Sequence, residues 1–142
     1  MDIILLIHLI TTSLLVGLIW TIQMVHYPSF RYIAPSEFKR FTSFHQSAIT
    51  LIVGPLMLLE LILSIILVYY ALNFMTVINL LLVLGIWLVT IFISMPCHQK
   101  LSEAFHPKVI ARLISTNWIR TLLWSVKLLV SVLLILQIFT HS

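Results

Sequence analysis

Three histidines occupy corresponding positions in an otherwise apolar chain: His26 closes the first apolar run, His45 opens the second and His98 comes directly after the third. Imidazoles from three separate segments therefore meet at one end of whatever bundle those segments build. Neutral imidazole together with carboxylate suits zinc, iron or copper, and the lone Cys97 argues against a thiolate-dominated site. Beyond His98, Glu103 and His106 have the Glu-x-x-His spacing that places a carboxylate and an imidazole on one helical face in carboxylate-bridged di-iron bundles, although Pro107 directly after His106 weakens the helical reading. The expected metal ligands are His26, His45 and His98, completed by Glu103 or His106. Tyr27 and Asn117 are the expected cofactor-binding residues, and with Gln46 and Gln99 they would fix the ring tautomers. The plainer alternatives are histidines that only bind headgroups or backbone carbonyls, or a metal-free acid/base site.

A second set of polar residues lies deeper in the apolar runs, where each must be paired or line a cavity. His8, Thr12, Gln23 and His26 fall on one side of the first run by the helical period, and His45 and Glu60 on one side of the second. In the last run Asn117, Arg120, Trp124, Lys127 and Ser131 recur at three- and four-residue spacing, and the third offers Asn79, Thr90 and Ser94. Depth counting puts Glu60 and Lys127 about 8 Å apart along the bundle, within reach of a lysine side chain. Such an intramembrane pair is either a staple or a proton relay. His8 is a hydrogen-bonded bundle residue or a second ligand site with His141. Trp118 suits an interface belt, while Trp20, Trp87 and Trp124 suit packing or the wall of an apolar pocket.

The elements that position these residues are set by composition. With 61% of its 142 residues hydrophobic, 8% charged and a mean hydropathy of +1.16, the chain is neither a water-soluble globule nor disordered. One cysteine rules out an internal disulfide. About 20 apolar residues cross the hydrocarbon core, and the chain supplies four such runs, at about 3–27, 45–72, 76–97 and 117–140. The expected fold is an all-α, integral-membrane four-helix bundle in a single domain, residues 1–142. Pro28 is expected to stop the first helix, a polar turn at Asn73 to join the second and third, and Gly54-Pro55 to kink the second. Seven of the eight basic residues, Arg31, Lys39, Arg40, Lys100, Lys108, Arg112 and Arg120, sit in or beside the two longer connections. That bias explains the net charge of +4 without a nucleic-acid partner. It places both connections in the cytoplasm and both termini outside. Residues 101–115 are expected to form a short interfacial helix with Leu101, Phe105, Val109 and Leu113 toward the membrane.

The run Gln23-Met24-Val25-His26-Tyr27-Pro28-Ser29-Phe30, the segment from Phe44-His45 to Gly54-Pro55 and on to Glu60-Leu61, and Asn117-Trp118-Ile119-Arg120-Thr121 with Trp124 resemble a family of small bacterial four-span inner-membrane proteins. The resemblance covers nearly the whole chain and implies a multi-pass protein of the bacterial inner (plasma) membrane. More distantly, an early histidine on the first helix and a proline inside the second are similar to HemJ-type protoporphyrinogen oxidases and to copper-resistance membrane domains.

The leading functional expectation is a membrane-embedded oxidoreductase. It would depend on a transition metal (iron, zinc or copper) or haem and act on a hydrophobic small molecule near the cytoplasmic leaflet. Glu60 and Lys127 would pass protons, and Arg120 would orient an anionic or polar group of the substrate. The alternative is non-enzymatic: a small proton-coupled transporter, which would have to form a homo-oligomer to enclose a pathway, or a subunit of a larger membrane complex.

Overall fold

The computed structural model of the chain describes residues 2–141, with side chains through Gln137; Met1, Ser142 and the His141 imidazole lie outside the described residues. Four helices are long and apolar enough to cross a membrane. They are α1 (Asp2–Tyr32), α2 (Pro35–Tyr70), α3 (Phe74–Glu103) and α4 (Pro107–His141), and no strand occurs among the described residues. The protein is an all-α, multi-pass membrane bundle. α1 packs against α2 and α4, and α3 packs against the same two, so the four helices close a ring around one interior. Leu51, Phe92 and Leu122 are among many apolar side chains left exposed on the outside, as a lipid-facing surface requires. Because lipid removes the hydrophobic drive between helices, close packing and buried hydrogen bonds must hold the ring together.

The short α2–α3 turn is built as expected. Asn73 Oδ1 accepts from the Thr76 amide at 3.1 Å and Thr76 Oγ1 accepts from the Asn73 amide at 3.1 Å, a reciprocal cap that starts α3.

The opposite end differs from expectation. α2 begins at Pro35 rather than near residue 45, and α3 runs on to Glu103. α4 begins at Pro107, so the two longer connections are mostly helix, and no separate interfacial helix forms over residues 101–115. Leu101 lies in α3 and Leu113 in α4, both fully buried rather than facing lipid. They join Tyr27, Phe30, Phe38, Cys97 and Ile110 in one apolar core, with Phe105 and Val109 packed against it. These extensions bury enough apolar surface against one another to stay helical beyond the long apolar runs.

Pro28 does not stop α1. Its missing N–H and its ring conflict with the carbonyl four residues back, and the helix absorbs this by widening to a π turn over Ile22–His26, closed by the Tyr27 amide on the Ile22 carbonyl. Pro96 is preceded by the same device, a π turn over Thr90–Ser94 closed by the Met95 amide on the Thr90 carbonyl. Each widened turn adds one residue and rotates the rest of its helix by about 100° relative to an uninterrupted α-helix. Tyr27 and Phe30 therefore take fully buried positions while His26 is half-buried. α2 carries Pro55 through its interior without ending.

Candidate functional site

Two polar clusters lie on the bundle axis. The first joins α1, α2 and α4 through side chains that are essentially inaccessible: His8, Thr12, Glu60, Ser64, Trp124 and Lys127. Lys127 Nζ has three acceptors for three protons: His8 Nε2 at 2.9 Å, Glu60 Oε1 at 3.3 Å and Thr12 Oγ1 at 3.4 Å. Glu60 receives Thr12 Oγ1 at 2.9 Å on Oε1 and Trp124 Nε1 at 3.0 Å on Oε2. Ser64 Oγ donates to the Glu60 carbonyl at 2.8 Å and lies 3.2 Å from His8 Nε2. Sequence reasoning missed Ser64, although it stands one turn after Glu60 on the same face. No buried polar side-chain atom in this group lacks a partner. Next to it, Asn79 donates to Ser131 at 2.8 Å and Ser131 to the Lys127 carbonyl at 2.8 Å, tying α3 to α4.

The second cluster sits at the end that carries the two longer connections, and it brings His26, His45 and His98 together from three helices. His26 Nε2 is 2.7 Å from His45 Nδ1, and the His45 and His98 ring centroids are 5.8 Å apart. Tyr27 Oη is 2.9 Å from His98 Nε2. Phe30 and Phe41 flank the His26 and His45 rings. Two residues one turn apart on α2 fasten the cluster to α3: Thr42 Oγ1 lies 3.1 Å from the Leu101 carbonyl, and Gln46 Nε2 donates to the His98 carbonyl at 2.6 Å. Leu101 is within the last turn of α3, where carbonyls lack helical partners, and the Thr42 hydroxyl, whose single proton the Phe38 carbonyl at 2.9 Å also competes for, is the side chain from another helix placed to cap it.

On α4, Asn117 donates to Gln23 Oε1 at 2.8 Å and Gln23 to the Ile114 carbonyl at 3.2 Å. Arg120 donates from Nη1 to Ser94 Oγ at 3.2 Å, lies over the Trp124 ring with its guanidinium carbon 5.3 Å from the centroid, and is within interaction range of the Tyr27 phenol. Trp124 thus borders both clusters. Of the basic residues expected near the connections, Arg31, Lys39, Arg40, Lys100, Lys108 and Arg112 are exposed. Arg120 is buried inside the bundle. Trp20 and Trp118 pack edge-to-face at 5.7 Å on the outside, and Trp20 Nε1 donates to Ser125 at 3.1 Å, so Trp20 is not part of an interior wall.

Glu103 and His106 are not on one helical face. Glu103 is the last residue of α3, the chain breaks helix at Ala104, and His106 precedes α4, where its carbonyl accepts the Val109 and Ile110 amides at 3.0 Å. Both side chains are exposed. Pro107 is the cause, because it biases the residue before it away from helical geometry and itself opens a new helix. Among the described residues no group of three or more His, Cys, Asp or Glu side chains is arranged to hold a metal ion. His26 and His45 are closer than two nitrogens sharing a tetrahedral metal at about 2.0–2.1 Å, which stand roughly 3.3 Å apart. Their contact is a direct hydrogen bond.

The two clusters differ in completeness. Among the described residues, six buried side-chain polar atoms have no hydrogen-bond partner, and three belong to the second cluster: His45 Nε2, His98 Nδ1 and Arg120 Nε. Buried polar groups are normally satisfied, so these unpartnered atoms make this end of the bundle the candidate site. No protein-family profile, curated protein or solved structure matches the chain.

Proposed function

We propose that the chain is a membrane-embedded oxidoreductase acting on a hydrophobic substrate at the cytoplasmic leaflet, with a transition-metal ion or haem iron bound at the imidazole cluster. The observation that carries this reading is the pairing of ring nitrogens. His45 and His98 each have one nitrogen held by a neighbour, His26 and Tyr27 respectively, while the other nitrogen is buried and unpartnered. Metal-ligating imidazoles have this pattern, one nitrogen on the metal and the other fixed by a hydrogen bond that sets the tautomer. The 5.8 Å centroid separation of His45 and His98 fits too, since two imidazoles on one metal at about 2.0–2.1 Å place their centroids on the order of 5–6.5 Å apart. His26 would then orient His45, and His45 Nε2 and His98 Nδ1 would hold the group. Iron or copper would supply redox and oxygen-activating chemistry there.

The six exposed basic residues at this end support a cytoplasmic orientation by the positive-inside rule. The resemblance to small four-span bacterial proteins supports an inner-membrane location. The closed hydrogen bonding around Glu60 and Lys127 favours a staple over a proton relay, which weighs against the transporter alternative.

The test is metal content and absorption spectrum of the purified protein. One metal or haem per chain is expected, lost in His45→Ala and His98→Ala and retained with weaker affinity in His26→Gln. Folded wild-type protein that carries no metal or haem and takes up none on incubation with iron or copper would overturn the reading.

A further inference from the structure

The buried charges do not cancel. The chain has four acidic residues; Asp2, Glu37 and Glu103 are exposed, and only Glu60 is buried. Among the described residues the sole ion pair is Lys127 with Glu60. Arg120, 6% exposed, is therefore a buried cation with no carboxylate against it. Its contacts are the Ser94 hydroxyl, the face of Trp124 and the neighbourhood of the Tyr27 phenol, and its Nε–H has no acceptor. A guanidinium has five N–H donors in a planar fork that matches two oxygens of one oxyanion, and an unpaired charge in a bundle interior carries a large penalty that a counter-ion removes.

We propose that Arg120 is the seat of a ligand's acidic head and that the ligand is an amphipathic oxyanion, a carboxylate or phosphate ester with an apolar tail. The neighbouring α4 residues Trp118, Ile119 and Leu122 are exposed on the lipid-facing surface, so Arg120 lies at a level of the bundle surrounded by apolar side chains, which suits an apolar tail on the ligand. Tyr27 links this seat to His98, which places the head group beside the imidazoles. The inference rests on the reading of the second cluster as the reactive site and names its substrate class.

The experiment measures binding of dodecanoate, dodecyl phosphate and uncharged dodecanol to the protein in non-ionic detergent by calorimetry. Tryptophan fluorescence is a second signal, since Trp124 lies under the guanidinium. At least one of the anions is expected to bind 10-fold or more tightly than dodecanol. Tighter dodecanoate identifies a carboxylic acid as the natural head, and tighter dodecyl phosphate a phosphate head. Arg120→Gln is expected to abolish the preference and Arg120→Lys, which keeps the charge and serves if the glutamine variant does not fold, to reduce it. Equal binding of all three probes to the wild type, or an undiminished preference in both variants, overturns the proposal. Metal content is measured on the same samples: a preference for anions in protein that binds no metal sinks the metal reading alone, and bound metal without the preference sinks this inference alone.

Discussion

Replacing Glu60 by Gln tests whether the mid-bundle cluster is a staple. The substitution keeps shape and removes charge. Glu60 accepts three donors on two oxygens, from Thr12, Lys127 and Trp124, whereas a glutamine amide has one oxygen and an NH₂. At least one of those donors must then face another donor, and Lys127 becomes a buried cation with only neutral acceptors around it. Removing one partner of a buried pair costs about 3–5 kcal/mol. For a chain of this size that corresponds to a fall in Tm of roughly 6–20 °C. Adding Lys127→Met removes the stranded charge, and the double variant is expected to regain most of the loss because a buried ion pair is worth little against a neutral replacement. The assay is thermal unfolding by circular dichroism in detergent, read as a double-mutant cycle. A loss under about 1 kcal/mol in Glu60→Gln, or a double variant as weak as the sum of the singles, refutes the staple argument.

Two other outcomes are expected. Tyr27→Phe deletes the hydroxyl 2.9 Å from His98 Nε2 and, with the bundle intact, should weaken metal binding about 10–100-fold; unchanged affinity in a metal titration would mean that Tyr27 does not orient the ring. Thr42→Val removes the hydroxyl beside the Leu101 carbonyl at the end of α3 and should lower stability by about 1–3 kcal/mol; unchanged thermal unfolding would show that this helix end needs no cap from α2.

Much of the architecture was legible because hydrocarbon leaves few choices. Four long apolar runs have to be helices, and polar residues repeating at helical spacing have to face inward, so Asn117, Arg120, Trp124, Lys127 and Ser131 could be placed on the buried side of α4 from spacing alone. The pairing of Glu60 with Lys127 was legible for the same reason, since two opposite charges at similar depth have nowhere else to go. Arg120 was harder to read. A basic residue near the start of a span also reads as a topology signal, and only its three- and four-residue spacing to Asn117 and Trp124 separates it from exposed Arg112, eight positions earlier. The Glu103–His106 spacing misled because it counts residues without knowing where the helix ends.

Composition and periodicity determined the membrane class, the number of spans and which side of each helix is polar, all consequences of backbone and side-chain solvation in lipid. Tertiary structure decided how far each helix runs, through packing of Phe38, Leu101 and Leu113 across three helices, and how the π turns before Pro28 and Pro96 reorient the ends of α1 and α3. It also decided which polar atoms find partners. A hydrogen bond depends on ångström-scale separations between residues distant in sequence, so only the packed bundle could separate the closed Glu60–Lys127 cluster from the open one around His45, His98 and Arg120.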